Sequence, residues 1–167
     1  AAGAATTCSQ APTPCDFVRV ACAPQRARIA AVRTTPGAEP EATALYFMDL
    51  GRSVEQLLFP QRRVAAVDWS PDGSSLLYQS TGDQLSDDDG LYMCEPNGNN
   101  DEALTQSAPG TPLVRERSPR FDASSRFAVY ERIDDTGVGR IYYYPAVPLT
   151  TGPASGPALP GTPYVVG

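Results

Sequence analysis

The chain has 167 residues, of which 19 are acidic and 13 basic, and it contains no histidine. Every basic residue is arginine, so a Ser-His-Asp triad, an imidazole-ligated zinc site and Schiff-base chemistry on lysine are excluded within these residues. A net charge of −6 opposes binding to nucleic acid or to anionic lipid, since both rely on clustered cations.

The amino-terminal residues 1–15 are predicted to form an extended segment ahead of the first strand. They begin with small, weakly polar residues and lack a positively charged leader, which suits a mature chain trimmed after export. No apolar stretch approaches the roughly 20 residues that a membrane-spanning helix needs. We therefore expect an exported protein, periplasmic or extracellular, with no membrane span; peripheral membrane association through partners is an alternative.

The cysteines agree with export. Four cysteines permit three complete pairings, and three of them, Cys8, Cys15 and Cys22, are evenly spaced near the amino terminus. We favour a disulfide within this group, which implies an oxidising compartment. Cys94 lies in a predicted strand and is expected to be a buried free thiol. The spacing lacks the short Cys-x2–4-Cys pairs of structural zinc sites, so zinc is not expected.

Residues 16–59 form the first predicted repeat unit. Short apolar runs at 17–21, 45–48 and 54–59 predict strands. Residues 22–31 hold a faint copy of a ten-residue segment that recurs later in the chain. Here Cys-Ala-Pro-Gln-Arg stands where the next unit has a clear turn signal, so the first unit is the degenerate one.

Residues 60–106 contain the clearest copy of that segment. Trp-Ser-Pro-Asp-Gly-Ser-Ser-Leu-Leu-Tyr covers residues 69–78. Strand-like runs at 64–68, 91–94 and 102–105 surround it. The second unit therefore carries four short strands.

The turn in this segment explains why it recurs. Pro71 sets its own φ, Asp72 can bond to the local backbone, and Gly73 accepts the positive φ of a tight hairpin. Trp69 precedes the turn and is expected to fill the space between neighbouring sheets, while Tyr78 lies in the strand that follows. These residues are structural rather than reactive in this interpretation.

Residues 107–151 form the third unit. Phe-Asp-Ala-Ser-Ser-Arg-Phe-Ala-Val-Tyr repeats the segment without a gap, with Phe121 in the place of the tryptophan and Tyr130 in the place of its final tyrosine. Runs at 113–117 and 141–144 predict further strands. Four short antiparallel strands per unit are typical of a β-propeller blade, so the prediction is an all-β fold of about three blades.

Residues 152–167 are rich in proline and glycine until the apolar 164–166. They are predicted to form an extended linker, and 164–166 to begin the first strand of a further blade.

A calcium site is the one metal-binding hypothesis that the sequence raises. The loop of residues 81–90 holds Asp83, Asp87, Asp88 and Asp89, and Ca²⁺ prefers carboxylate and carbonyl oxygens. The helix-loop-helix calcium pattern fails here, because neither anchor carboxylate is present. An exposed acidic loop is the favoured interpretation, so no cofactor is expected. Equivalent acidic loops in the other units suggest an acidic rim on one face.

The densest aromatic cluster is the run from Tyr142 to Tyr144. Strand alternation sends Tyr142 and Tyr144 to one side of a sheet and Tyr143 to the other. Packing between blades is the favoured role, and a carbohydrate or peptide platform is the alternative.

The recurring Trp-Ser-Pro-Asp-Gly segment, followed by Leu-Leu-Tyr and then by Leu-Tyr-Met-Cys-Glu-Pro-Asn-Gly-Asn-Asn, resembles the repeat of TolB-like β-propellers. These are relatives of the Trp-Asp-repeat propellers, common in bacterial periplasmic proteins and in the propeller domains of prolyl-oligopeptidase-type peptidases. The resemblance is good in the second unit, moderate in the third and weak in the first. It implies a periplasmic interaction module and supplies no catalytic residues.

These observations favour a non-enzymatic protein-interaction or scaffold module of an exported bacterial propeller protein. The alternatives are the propeller domain of a larger enzyme, such as a prolyl-oligopeptidase-type serine peptidase whose catalytic domain lies outside this chain, and a carbohydrate-binding propeller. Propellers close with four to eight blades, so about three blades leave two open faces. We expect either a longer polypeptide, which we favour, or other subunits packed on those faces.

Overall fold

The computed structural model describes residues 17–24, 26–34, 43–81, 90–105, 115–134, 136–145 and 164–165. This part of the chain contains strands and turns and no helix. Accordingly, none of its segments is a helix with the length and apolar content to cross a bilayer. The strands, in chain order, are β1 (Phe17–Cys22), β2 (Arg28–Thr34), β3 (Thr43–Asp49), β4 (Val54–Leu58), β5 (Val64–Trp69), β6 (Leu76–Ser80), β7 (Gly90–Cys94), β8 (Glu102–Ala103), β9 (Arg115–Phe121), β10 (Phe127–Ile133), β11 (Gly139–Pro145) and β12 (Tyr164–Val165).

The strands form three four-stranded antiparallel sheets, each built from strands consecutive in the chain. The first sheet contains β1 to β4, the second β5 to β8 and the third β9 to β12, and we call them blades 1, 2 and 3. This arrangement confirms the predicted all-β fold of four-stranded antiparallel blades. β6 and β7 are buried along their whole lengths, because blade 2 is covered on both sides.

Each blade has two faces, because side chains alternate along a strand. We call the face that looks toward the preceding blade the front face and the other the back face. Tyr78 and Leu76 lie on the front of blade 2, in one apolar cluster with Leu45 and Phe47 from the back of blade 1. Leu77 on the back of blade 2 packs in a second cluster with residues of blade 3.

The first strand of each blade contains a register shift. In β1 the shift lies between Phe17 and Arg19, and in β5 between Val64 and Ala66. In β9 two residues lie opposite Tyr130, and one of them, Ser118, has a positive φ of 51°. Such bulges increase the local twist of a strand.

The third blade differs from expectation at its first strand. We expected the strand at 113–117, whereas β9 runs from Arg115 to Phe121. The bulge at Ser118 explains the difference, because it lets pairing with β10 continue past Pro119 up to the turn. Residues 113 and 114 lie outside the described residues.

The last strand completes blade 3 rather than opening a further blade. Val165 pairs with Tyr142 and Tyr164 with Tyr143, both on β11. A strand at the edge of a sheet has unpaired backbone N–H and C=O groups, and β12 pairs with part of the β11 edge. The predicted linker, up to residue 163, lies outside the described residues.

Candidate protein-interaction faces

The turn after the first strand of blade 2 is held by a small hydrogen-bond network. Gly73 has a φ of 70° and its N–H donates to the Ser70 carbonyl at 2.8 Å. The Ser70 hydroxyl accepts from the N–H of Ser74 at 3.1 Å and of Ser75 at 2.9 Å, and donates to Asp72 at 2.6 Å. The Ser70 hydroxyl is the main reason that the pKa of Asp72 lies below its usual value.

Blade 3 builds the same turn with different side chains. Asp122 stands at the place of Ser70, and its Oδ1 accepts from the N–H of Arg126 and of Phe127, both at 2.8 Å. Ser125 takes the place of Gly73 with a φ of 59°. In blade 1, Ala23 stands at this place and has no side-chain acceptor, although its N–H still donates to the Arg28 carbonyl at 2.9 Å. The segment is thus a structural turn.

In blades 2 and 3, the aromatic residue before the turn forms a hydrogen bond to the preceding blade. The Trp69 indole is buried and its Nε1–H donates to the Ala21 carbonyl of blade 1 at 3.0 Å. In blade 3 the backbone N–H of Phe121 donates to the Asp68 carboxylate of blade 2 at 3.0 Å. Residues at equivalent repeat positions therefore make both blade contacts.

A polar cluster lies on the front face of blade 2. The Tyr78 hydroxyl donates to Asp101 at 2.6 Å, and the Arg62 guanidinium donates to both. Tyr78 stacks on Tyr92 with ring centroids 5.5 Å apart, and the Arg62 guanidinium carbon lies 4.2 Å from the Tyr92 centroid. Burial, and then the neighbouring Asp101, raise the pKa of Tyr78 well above its ordinary value, so this tyrosine stays protonated.

Local sequence signals do not predict this cluster. They indicate a structural role for Tyr78 in the repeat and do not single out Arg62 or Asp101. Arg62 precedes β5 and Asp101, 39 residues later, precedes β8, so only pairing of the strands of blade 2 brings them together.

Blade 3 carries a related cluster with one difference. Tyr130 stands at the place of Tyr78 and stacks on Tyr142 at 5.9 Å, as Tyr78 does on Tyr92. Arg132 donates to Glu116 at 3.0 Å and lies 5.3 Å from the Tyr142 centroid. The Tyr130 hydroxyl is buried and has no hydrogen-bond partner in the described structure.

Blade 1 presents its version of the cluster on a face that no blade in the described part of the chain covers. Arg33, at the repeat position of Arg132, forms an ion pair with Glu55. Its guanidinium carbon lies 4.5 Å from the Tyr46 centroid and 5.3 Å from that of Phe17.

Several apolar side chains differ in exposed fraction between the covered faces and the faces that no described blade covers, although Ala31 and Met48 on the front of blade 1 are buried. On the front of blade 1, Phe17 is 43% and Val20 is 54% exposed. Their counterparts on the front of blade 2, Val64 and Val67, are 0% and 3% exposed. The front of blade 1 is therefore built like a blade interface, and none of the described blades covers it.

The back face of blade 3 shows the same contrast. Ile141 is 46% exposed, whereas Leu91, at the same place in blade 2, is 0% exposed. Val129, Phe127 and Tyr143 share this face, with Phe127 and Tyr143 packed edge to face at 5.6 Å. Large exposed apolar patches mark sites of protein interaction. The front of blade 1 and the back of blade 3 are the candidate interaction faces.

The cysteines in the described residues are free thiols. Cys22 is exposed and Cys94 is buried. A disulfide through Cys22 is therefore not found, while the predicted free thiol of Cys94 is confirmed. Burial raises the pKa of Cys94 well above its ordinary value. Cys8 and Cys15 lie outside the described residues, so a bond between them stays a prediction.

The candidate calcium ligands, Asp83, Asp87, Asp88 and Asp89, all lie outside the described residues. Within the described residues no group of histidine, cysteine and carboxylate side chains could hold a metal ion. In the third acidic loop, Asp134 accepts hydrogen bonds from the N–H of Thr136 and of Val138, both at 3.0 Å, so it closes its own turn.

The solved structures that resemble this fold include the following two. A protein described as a putative TolB from Agrobacterium tumefaciens superposes with a TM-score of 0.59 at 19% sequence identity, over 80% of this chain and 46% of that chain. A structure from a study of two prolyl endopeptidases superposes with a TM-score of 0.53 at 16% identity, over 89% of this chain and 22% of that one. At these identities the likeness shows the fold alone, which is that of propeller blades.

Other comparisons leave the family open. No protein-family model matches the chain. No curated protein matches it. The chain spans less than half the length of the TolB structure and less than a quarter of the prolyl endopeptidase.

Proposed function

We propose that this chain is a non-enzymatic protein-interaction module of an exported β-propeller protein, and that its open blade faces are the binding surfaces. One observation carries the proposal: Phe17, Val20 and Ile141 are about half exposed at repeat positions whose counterparts in blade 2 are buried. Exposing an apolar face built for a blade contact to water costs free energy, so a protein partner that covers the face stabilises it.

The polar groups of the described core support a structural rather than a reactive role. Arg62, Tyr78 and Asp101 bond to one another, and Arg132 bonds to Glu116. Burial holds Tyr78 protonated, so it is a poor general base near neutral pH. These groups join elements of the fold.

Export is supported by the likeness to a protein described as a TolB. We accordingly propose a periplasmic or extracellular location.

The proposal is tested by affinity capture with immobilised wild-type chain and with a variant that carries both Val20→Glu and Ile141→Glu. The wild type is expected to retain a defined protein from a periplasmic extract, and the same protein, once purified, is expected to bind the wild type and not the variant. Equal capture by both would contradict the proposal. So would turnover of p-nitroanilide peptides by the isolated chain.

A second function is favoured by the likeness to prolyl endopeptidases. In this alternative the chain is the propeller part of a larger peptidase, and its open faces contact further blades of the same polypeptide. A reading frame that continues into a Gly-x-Ser-x-Gly turn and supplies a histidine would favour it.

A further inference from the structure

The two blade contacts in the described structure have the same direction, back face of one blade to front face of the next. The back face of blade 1 meets the front face of blade 2, and the back of blade 2 meets the front of blade 3. In each contact a residue at the end of the first strand of the later blade donates to the earlier blade: the Trp69 indole to Ala21, and the Phe121 N–H to Asp68. The contact is therefore a repeated, directional interface.

This repetition makes the two open faces complementary to each other. The front of blade 1 carries Phe17, Val20 and Ile29 where blade 2 carries Val64, Val67 and Leu76. The back of blade 3 carries Val129, Ile141 and Tyr143 where blade 2 carries Leu77, Leu91 and Met93. Each open face thus has the apolar character of a face that already makes a blade contact within this chain.

Charge does not oppose the contact at the front of blade 1. Arg33 is paired with Glu55 of the same blade, just as Arg132 is paired with Glu116 at the covered front of blade 3. On the back of blade 3, however, Glu131 stands where blade 2 has Gln79. Covering a carboxylate costs free energy, so the contact is weaker than those inside the chain.

We propose that the two open faces bind each other between two copies of this chain, back of blade 3 to front of blade 1, and close a six-bladed ring. This inference rests on the proposed interaction function and names its partner. Head-to-tail contacts form a closed ring only if the rotation that relates one copy to the next returns to the first copy. Two copies related by a two-fold axis satisfy this condition, and their two contacts are identical. Two copies of three blades give six, within the four to eight blades of closed propellers.

The oligomeric state tests the proposal. Sedimentation equilibrium across micromolar to submillimolar concentrations is expected to show a particle of twice the 17.7 kDa monomer mass. A monomer throughout this range would overturn the proposal, as would a trimer or an open series of larger species.

Single variants locate the contact. Val20→Glu alters the front of blade 1 and Ile141→Glu alters the back of blade 3. Because both side chains are about half exposed in the single chain, the folded monomer tolerates the change. Each variant is expected to raise the dimer dissociation constant about tenfold or more, since each damages both contacts of the ring. Leu50→Glu is the matched control, because Leu50 is 43% exposed in the turn between β3 and β4 and not on a strand of either face, so its variant should dimerise as the wild type does.

Mixing the two variants distinguishes this ring from other dimers. A Val20→Glu copy keeps an intact back face and an Ile141→Glu copy keeps an intact front face, so the mixture regains one contact and associates more strongly than either variant alone. A front-to-front dimer would respond to Val20→Glu only, and a back-to-back dimer to Ile141→Glu only; either result overturns the proposal. Far-ultraviolet circular dichroism and the fluorescence of the single tryptophan, Trp69, verify that each variant is folded.

The outcome also separates this inference from the proposed function. If the chain stays monomeric but its faces bind a different protein in a manner that Val20→Glu and Ile141→Glu abolish, the second copy is the wrong partner and the interaction function stands. If no protein binds and no dimer forms, both are wrong.

Discussion

At the scale of single residues, the recurring turn depends on two requirements and not on particular amino acids. One position must accept a positive φ, and Gly73 and Ser125 both do so. Another must accept backbone N–H groups four and five residues ahead, and the Ser70 hydroxyl and the Asp122 carboxylate both do so. Asp72, which at first resembles a reactive group, serves the same turn by accepting from the Ser74 N–H at 3.0 Å.

Gly73→Ala tests the conformational requirement. No atom outside its chain neighbours lies nearer than 3.8 Å to the position that a Cβ would occupy at Gly73, so the cost is that of the left-handed φ alone. We expect a loss of about 1 kcal/mol in the free energy of unfolding. Gly51 lies in a turn and has no left-handed φ, so the control variant Gly51→Ala should change the free energy of unfolding by less than about 0.5 kcal/mol. Urea unfolding monitored by circular dichroism measures both, and equal losses would show the reasoning to be wrong.

Asp122→Asn tests the electrostatic part of the third turn. The Ser124 hydroxyl, followed by nearby backbone N–H groups, lowers the pKa of Asp122 from 3.8 to about 2. Because the folded pKa is depressed, the stabilising effect is fully present above about pH 4 and is lost as the pH falls toward 2. The difference in melting temperature between the wild type and Asp122→Asn should therefore shrink over this range. A difference independent of pH would contradict the assignment.

At the scale of elements, each blade is a hairpin series whose front face carries stacked aromatic rings and an arginine. Register pairs Tyr78 with Tyr92 and Tyr130 with Tyr142, and the rings stack in both blades. The stack of Tyr142 on Tyr130 lies within blade 3, so its packing between blades stays a prediction. The arginine comes from a different element in each case, from the segment before β5 in blade 2 and from β10 in blade 3.

Tyr78→Phe and Tyr130→Phe form a matched pair of tests. The Tyr78 hydroxyl bonds to Asp101 and Arg62, and its removal leaves two charged groups short of a partner, which costs about 1–3 kcal/mol. The Tyr130 hydroxyl is buried without a partner among the described residues, so its removal should be neutral or stabilising. Chemical denaturation of both variants measures the difference. If both variants lost the same free energy of unfolding, the hydrogen bonds of the Tyr78 hydroxyl would not be the source of the loss.

At the scale of the whole molecule, blades 1 and 2 share one core. The apolar cluster that contains Trp69, Tyr78 and Cys94 also contains Leu45 and Phe47 of blade 1. Neither blade can separate from the other without exposing this cluster to water, so the two should unfold together.

Thiol labelling tests this shared core. Native protein treated with iodoacetamide should be modified at the exposed Cys22 and protected at Cys94, whose thiol is buried and whose pKa is raised. Peptide mass spectrometry distinguishes the two sites. The labelling of Cys94 should rise with urea along the same curve as the Trp69 fluorescence. Labelling of Cys94 well before that transition would show that the blades open separately.

Local signals predicted much of the fold. Turn residues around Pro71 and Gly73 and the apolar runs beside them located most of the strands in blades 1 and 2 within a few residues. They failed at β9, where the bulge at Ser118 shifts the strand. They also failed at β12, because a strand of two residues is too short to indicate which sheet edge it joins. The candidate site was harder to predict, because exposure at Val20 or Ile141 depends on which neighbour is present.

By itself, the sequence determined the all-β class, the repeat and the chemistry of its turn, because each of these arises from residues close together in the chain. Tertiary structure alone decided which blade faces are covered, that β12 completes blade 3, and that Arg62 meets Asp101 beside Tyr78. These features depend on pairing between residues distant in sequence, and the burial of a side chain is a property of what packs against it. For that reason the two open faces, which carry the proposed function, became visible only when covered and uncovered copies of the same repeat position were compared in one molecule.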